Sequence, residues 1–197
     1  MIRVFGRSGS SNSAKVFWLL DELGLAYDLI ETGGKHGGND APDFRARNPF
    51  GKVPVVEDDA GSFWESNAIL RYLATRHGNG AIWPEAAAQR AQIDGWMDWA
   101  SLSLAAPLTR LRKSRAAGKG DGDLPAVVAA FTQLDAQLAR EPFIAGKALT
   151  LADITAGPSV HRWFLLEGER PPLPCLEAYH TMLLRNAGYQ THIRILT

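Results

Sequence analysis

The stretch from Asn48 to Leu73, NPFGKVPVVEDDAGSFWESNAILRYL, constrains the fold most, because two short apolar runs, a turn and a helix start follow one another without slack. Asn48-Pro49-Phe50-Gly51 is turn chemistry. Lys52 to Val56 is β-prone and carries Pro54, which has no N–H to give a sheet ladder and so belongs at a strand's first residue or edge. Val53 beside it is expected to keep its own N–H and C=O free on one side. Asp58-Asp59-Ala60-Gly61 has the composition of a hairpin turn, and Ser62 to Trp64 returns as a second strand. Ser66 is expected to cap a helix whose apolar residues Ala68, Ile69, Tyr72 and Leu73 recur at helical spacing. A strand end with unpaired backbone, followed closely by a helix N-terminus, suits a peptide-like ligand that ends in a carboxylate. Most hairpin-to-helix junctions bind nothing, so these features alone do not define a site.

The preceding residues build toward this stretch. Ile2 to Phe5 is a short β-prone run, Gly6 to Ser13 a small polar loop, and from Ala14 the residues Val16, Leu19, Leu20 and Leu23 mark a helix that Gly24 ends. A Gly-containing loop between strand and helix invites a phosphate-binding reading, but there is no G-x-G-x-x-G and no G-K-[ST] ending. The Gly6-Arg7-Ser8-Gly9-Ser10 run has Ser where a nucleophile elbow needs its second Gly. Ser8, Ser10, Ser11 and Ser13 compete as helix caps. Tyr27 to Thr32 reads as a parallel strand closing a right-handed βαβ unit. Gly33 to Asp40 is then a flexible loop, and Asp40 with Pro42 opens a short helix through Ala46. His36, without a partner at ligand spacing, is not read as a metal ligand or base.

Composition narrows the classes. With 46% hydrophobic and 21% charged residues among 197, the chain is an ordinary globular one with material for a sizeable core. The formal net charge of zero lacks the footprint of a nucleic-acid or anionic-membrane binder, so a small molecule or a protein is the expected partner. No long apolar segment suggests a membrane span or signal sequence, and a cytoplasmic protein is expected. The single cysteine, Cys175, excludes an intrachain disulfide, a CxxC pair and a cysteine-based zinc site; it is read as a packing residue, and no metal is expected.

Gly78-Asn79-Gly80 ends the first pattern, so a domain over residues 1–78, a connector over 79–85 and a helical domain over 86–197 are expected. Ile93, Trp96, Met97, Ala100 and Leu104 lie at helical spacings in a run that Pro107 bends or interrupts. Leu124 to Leu138 carries Val127, Phe131, Leu134 and Leu138 on one stripe. Thr150-Leu151-Ala152-Asp153 is a relaxed capping box, with Leu149 and Ile154 as its hydrophobic staple, and this explains Asp153 better than catalysis does. Trp96 and Trp99, with Trp163 and Phe164, either line an apolar pocket or fill the core.

Taken together, N-P-x-G-K-V-P-V, E-S-x-A-I-L-x-Y-L and A-L-T-L-A-D-I over essentially the whole chain resemble a soluble glutathione S-transferase. The resemblance implies an α/β thioredoxin-like N-terminal domain of order βαβαββα followed by an all-α domain. It implies that Pro54 is the cis-proline, that Val53 pairs by backbone with the cysteinyl part of glutathione, and that Glu65 and Ser66 take the ammonium and carboxylate of its γ-glutamyl end. Lys52 is placed for the glycyl carboxylate, and Asn39 is assigned to the same glutathione site. Arg7 to Val16 resembles the R-x-x-S-x-N-x-x-K-V form of bacterial theta-like members, which puts Ser10 at the thiol-activating position with Asn12 as its neighbour or substitute. Glutathione is the implied co-substrate and an apolar electrophile its partner in a detoxifying conjugation. The electrophile subsite is assigned to Trp99 and Trp163, with the surroundings of Pro107 and Tyr189. A homodimer is implied, with helices from near Ala86 packed across its two-fold axis. The alternative is a scaffold or regulatory module of the same fold that binds glutathione with little turnover. Glutathione-dependent disulfide exchange is disfavoured because Ser10 stands where a cysteine would be required.

Overall fold

The computed structural model describes all residues from Met1 to Thr197. It divides into two compact units, one of residues 1–80 with 187–197 and one of residues 81–186.

The first unit is a four-stranded sheet in the order β2-β1-β3-β4, with β1 at Ile2–Gly6, β2 at Tyr27–Glu31, β3 at Val55–Asp58 and β4 at Gly61–Trp64. β1 runs parallel to β2, whereas β3 is antiparallel to both β1 and β4. Helix α1, Ser11–Glu22, makes the crossover between β1 and β2, which a parallel pair requires. It begins three residues before the expected Ala14 because Ser10 caps it. Gly24 follows its end at φ +63, the left-handed geometry that a helix C′ position favours. Helix α2, Pro42–Arg47, follows a 3-10 turn at Gly34–His36, and α3 spans Ser66–His77. This is the thioredoxin-like order expected.

Two hydrophobic arrangements fix the sheet. Phe5, Phe44 and Val55 form a buried cluster, with Ile30 and Val53 packed against it. Phe5 meets Phe44 edge-on, with ring centroids 6.1 Å apart. The hairpin is tied to α3 by Phe63 stacked on Tyr72 at 3.9 Å and by the Tyr72 hydroxyl donating to Asp58 at 2.7 Å. Arg76 of α3 adds two bonds to Asp59.

Residues 187–197 were expected to belong with the helical domain, yet they pack on α1. Tyr189 is fully buried edge-on to Trp18 at 5.3 Å, and His192 lies 2.9 Å from Asp21. Periodicity marks an apolar residue for burial but does not say against what.

The second unit contains α4 (Ala87–Trp99), α5 (Ala106–Ala116), α6 (Leu124–Leu138), α7 (Leu151–Phe164) and α8 (Pro174–Leu183). α4 runs into a π-helical segment, Ala100–Ala105, just ahead of Pro107 at the start of α5. Pro107 has no N–H for the carbonyl four residues earlier, so the interruption falls where the sequence expects it. α7 is the central helix, with every residue from Leu151 to His161 buried. Its capping box is complete: Thr150 Oγ1 accepts from the Ala152 N–H, and Asp153 accepts from the Thr150 N–H at 2.8 Å. Asp153 also accepts from the Ile144 N–H and the Tyr179 hydroxyl, so the carboxylate ties a loop and two helices together. No helix is long and apolar enough to cross a membrane.

Candidate active site

Sheet register brings the expected ligand residues to one end of the first unit. β1 ends at Gly6, β3 begins at Val55 opposite Phe5, and β4 ends at Trp64 opposite Val55. Three segments therefore leave the sheet from the same edge: the Arg7–Ser10 loop, the Val53-Pro54 pair and the Glu65-Ser66 pair. β2, parallel to β1, adds the loop from Thr32 to Asn39 at that edge. Both α1 and α3 start there, so two helix N-termini with positive dipole ends face the same region.

Each segment is held there for a local reason. Ser10 is the N-cap of α1: its Oγ accepts the Ser13 N–H at 3.3 Å, and its own N–H closes a turn on the Arg7 carbonyl at 3.1 Å. A hydroxyl that accepts one hydrogen bond still has its proton to donate. Capping and donation are thus compatible at Ser10. Asn12 is exposed on the first turn of α1. Gly6 is required by close approach, since a Cβ there would stand 2.8 Å from Ser13 Oγ.

The Val53–Pro54 peptide is cis, as the resemblance implied, and Val53 gives neither its N–H nor its C=O to another residue of the chain. Val53 packs under Gly33, whose Cβ would meet a Val53 methyl at 3.5 Å. Asn39, placed by resemblance in the ligand site, donates its side-chain amide to the Gly51 carbonyl at 3.0 Å and so braces the turn leading into Val53. Asn48 does likewise at the Lys52 carbonyl, 2.7 Å away, leaving the Lys52 side chain exposed.

The expected cap of α3 is corrected by one residue. Glu65, not Ser66, is the N-cap, with φ at +66 and no side-chain capping bond, and Ser66 is the first helical residue. A non-glycine residue with positive φ is uncommon and concentrates at functional sites. Its carboxylate is exposed, while Ser66 is 6% exposed.

Lys15, the lysine of the R-x-x-S-x-N-x-x-K-V run, carries no role in the sequence but belongs to this region. It is 5% exposed in the second turn of α1, and burial, partly opposed by the charge of Glu65, lowers its pKa to about 8. The signal was available: a lysine interrupts the run Ala14 to Leu20, every other member of which is buried and uncharged.

The aromatic residues assigned to the electrophile subsite lie in the second unit. Trp99 meets Trp96 edge-on at 5.3 Å, and Trp163, 2% exposed, stacks on Phe131 at 4.3 Å. Trp163 is mainly core, although with Phe164, Arg170, Leu173 and Glu177 it borders a surface cleft of about 300 Å³. Pro107 and Tyr189 are both buried, Tyr189 within the first unit.

Comparison with known proteins identifies the family. Residues 4–81 match the family model for the glutathione S-transferase N-terminal domain, and residues 85–181 that for the C-terminal domain. Glutathione S-transferase GstB of Escherichia coli K12 is 35% identical over 99% of both chains. The glutathione-bound crystal structure of a theta-class glutathione S-transferase from Xanthomonas axonopodis pv. citri superposes with a TM-score of 0.89. It is 38% identical and covers 98% of this chain and 96% of its own. A delta-class glutathione transferase from Nilaparvata lugens, 23% identical with a TM-score of 0.90 over 98% and 92% of the two chains, speaks for the fold alone. Probable elongation factor 1-gamma 1 of Arabidopsis thaliana matches at 30% identity over only 37% of its own length. The chain belongs to the glutathione S-transferase family.

Proposed function

We propose that this protein is a glutathione transferase in which Ser10 stabilises the glutathione thiolate and the strand-to-helix junction holds the peptide. The observation that carries this reading is the convergence, at one sheet edge, of Ser10, the free backbone of Val53, and the Glu65-Ser66 head of α3. Val53 pairs with the cysteinyl backbone. Glu65 takes the γ-glutamyl ammonium, and Ser66 takes the adjoining carboxylate with its hydroxyl and N–H. Lys52 meets the glycyl carboxylate, while Asn39 supports the turn beneath it.

Magnitudes show that a hydroxyl is enough. A free thiol with pKa ~8.5 is a few per cent thiolate at neutral pH, and lowering it by about two units takes roughly 2.7 kcal/mol in favour of the anion. A hydrogen bond to a charged group contributes about 1.5 to 3 kcal/mol, and the N-terminus of α1 adds up to about 1 kcal/mol. The proton leaves to solvent. The sulfur lone pair then forms a C–S bond at an electrophilic carbon, and the leaving group departs with its electron pair. Ser10 is not consumed and forms no covalent bond. Asn12 is the neighbouring donor.

The sole cysteine and a thiol co-substrate fit a reducing compartment, and the cytoplasm is the proposed setting. We further infer a homodimer. Phe50 and Trp64 stand 58% and 38% exposed with ring centroids 5.1 Å apart, an apolar pair suited to a partner surface. Sedimentation of the wild type as a monomer at micromolar concentration would remove that inference.

The test of function is retention on immobilised glutathione together with turnover of a chromogenic aryl halide. Retention with no conjugation across several electrophile classes would replace the enzyme with a glutathione-binding scaffold of the same fold.

A further inference from the structure

Lysines are seldom nine-tenths buried unless a counter-ion is in contact. Lys15 is 5% exposed, yet no hydrogen bond and no ion pair within the chain involves its ammonium. α1 packs against α3 and against the C-terminal Tyr189–Ile193 segment. Of the titratable groups on those elements, His77 is exposed at the far end of α3 and the others are otherwise engaged. On α3, Arg76 is bonded to Asp59, and Arg71 has a partner of its own. On the C-terminal segment His192 lies against Asp21, while farther along α1 Glu22 accepts from the Trp18 indole. Glu65 at the head of α3 is the one charge that acts on Lys15. An uncommitted buried cation therefore lies within electrostatic range of the head of α3, where no hydrogen bond within the chain engages the Ser66 N–H or hydroxyl. That combination is built for a carboxylate.

We propose that Lys15 is a further glutathione-binding residue, its ammonium completing with Ser66 the site for the γ-glutamyl carboxylate while Glu65 takes the adjacent amine. The inference rests on the assignment of Glu65 and Ser66 to that end of the ligand. A zwitterionic amino-acid terminus then meets an opposite charge at each pole: carboxylate on Lys15 and the α3 N-terminus, ammonium on Glu65.

The consequence is proton uptake on binding. Burial leaves free Lys15 half-protonated near pH 8, and an arriving carboxylate raises its affinity for the proton. S-methylglutathione, which has no thiol to titrate, is the probe, and calorimetry at pH 8 in buffers of different ionisation enthalpy counts the protons. The wild type is expected to take up about half a proton more than Lys15→Met, by the half-titration expected where pH equals pKa. Uptake through the ligand's own amine is common to both and cancels. The dissociation constant of Lys15→Met is expected to be about tenfold above wild type at pH 7, with the ratio approaching one by about pH 9.5. Lys15→Arg, charged throughout, is expected to bind without the extra uptake. Equal uptake in wild type and Lys15→Met, or a ratio flat with pH, overturns the role of Lys15. Glu65→Gln separates the two readings: if it leaves affinity unchanged, or if the wild type does not bind S-methylglutathione, the site assignment itself fails and this inference falls with it.

Discussion

Ser10 Oγ accepts the Ser13 N–H at 3.3 Å, which makes one side chain both the cap of α1 and a hydroxyl whose proton is unspent. The two roles separate by substitution. Ser10→Ala removes the cap, at about 1 kcal/mol of stability, and the thiolate hydrogen bond, at about 1.5 to 3 kcal/mol. It is expected to lower kcat/KM roughly tenfold to a hundredfold at pH 6.5 and to raise the bound-thiol pKa by one to two units on the same conversion. Ser10→Asp also caps a helix, so it should keep the melting temperature while raising the thiol pKa further through like-charge repulsion. A bound-thiolate titration unchanged by Ser10→Ala would move the role to Ser11 or Asn12.

Lys15 supplies a stability prediction opposite in sign to its binding role. Its folded pKa of about 8 lies below the unfolded value of 10.5, because burial disfavours the charged form. Below about pH 8 the folded state carries the whole penalty. Between about 8 and 10.5 the unfolded chain binds more protons, so stability rises with pH across that window. At roughly 1.4 kcal/mol for each tenfold difference the penalty is about 3 kcal/mol. Lys15→Met is therefore expected to melt several degrees higher than wild type at pH 7, with the advantage fading by pH 10.5. A lower melting temperature at pH 7 would show that the ammonium stabilises the unliganded fold instead.

In the helical unit Asp153 is the residue to break. Fully buried, it accepts from the N–H groups of Ile144 and Thr150, from Thr150 Oγ1 and from Tyr179. Burial pushes its pKa up while these four donors pull it down. Asp153→Ala leaves buried donors without acceptors and is expected to cost at least about 3 kcal/mol in urea denaturation. Tyr179→Phe, which removes one of the four bonds, should cost about 1 kcal/mol. A loss below about 1 kcal/mol for Asp153→Ala would mean that water replaces the carboxylate.

The C-terminal segment should be sensitive at Gly188. Its backbone is ordinary right-handed, with φ at −64, so glycine is needed there for space. A Cβ would stand 2.4 Å from the Trp18 ring, which is fully buried and has nowhere to go. Gly188→Ala is expected to destabilise by about 1 to 3 kcal/mol, as overpacking does, and to change the fluorescence of Trp18. An unaltered melting temperature would show that the segment detaches at little cost.

The local chemistry of this chain was legible in the sequence. Pro54 beside Val53, the turn residues of the hairpin, the stripe of α6 and the capping box at Thr150 and Asp153 act over a few residues, so propensity, spacing and missing donors determine them. Resemblance over the whole chain added the glutathione reading and the candidate roles of Ser10, Glu65 and Ser66. Tertiary structure decided what depends on distant partners. The register that sets Phe5 opposite Val55 gathers loops from four parts of the chain at one sheet edge. Glu65 replaced Ser66 as the cap of α3 because its backbone turns left-handed there. Tyr189 left the expected subsite for the core beside Trp18, because an apolar side chain at a helical position declares that it will be buried but not which surface buries it. Lys15 shows the same limit from the other side, since one lysine in an apolar run reads as an interruption until burial and the charge of Glu65 give its ammonium a purpose.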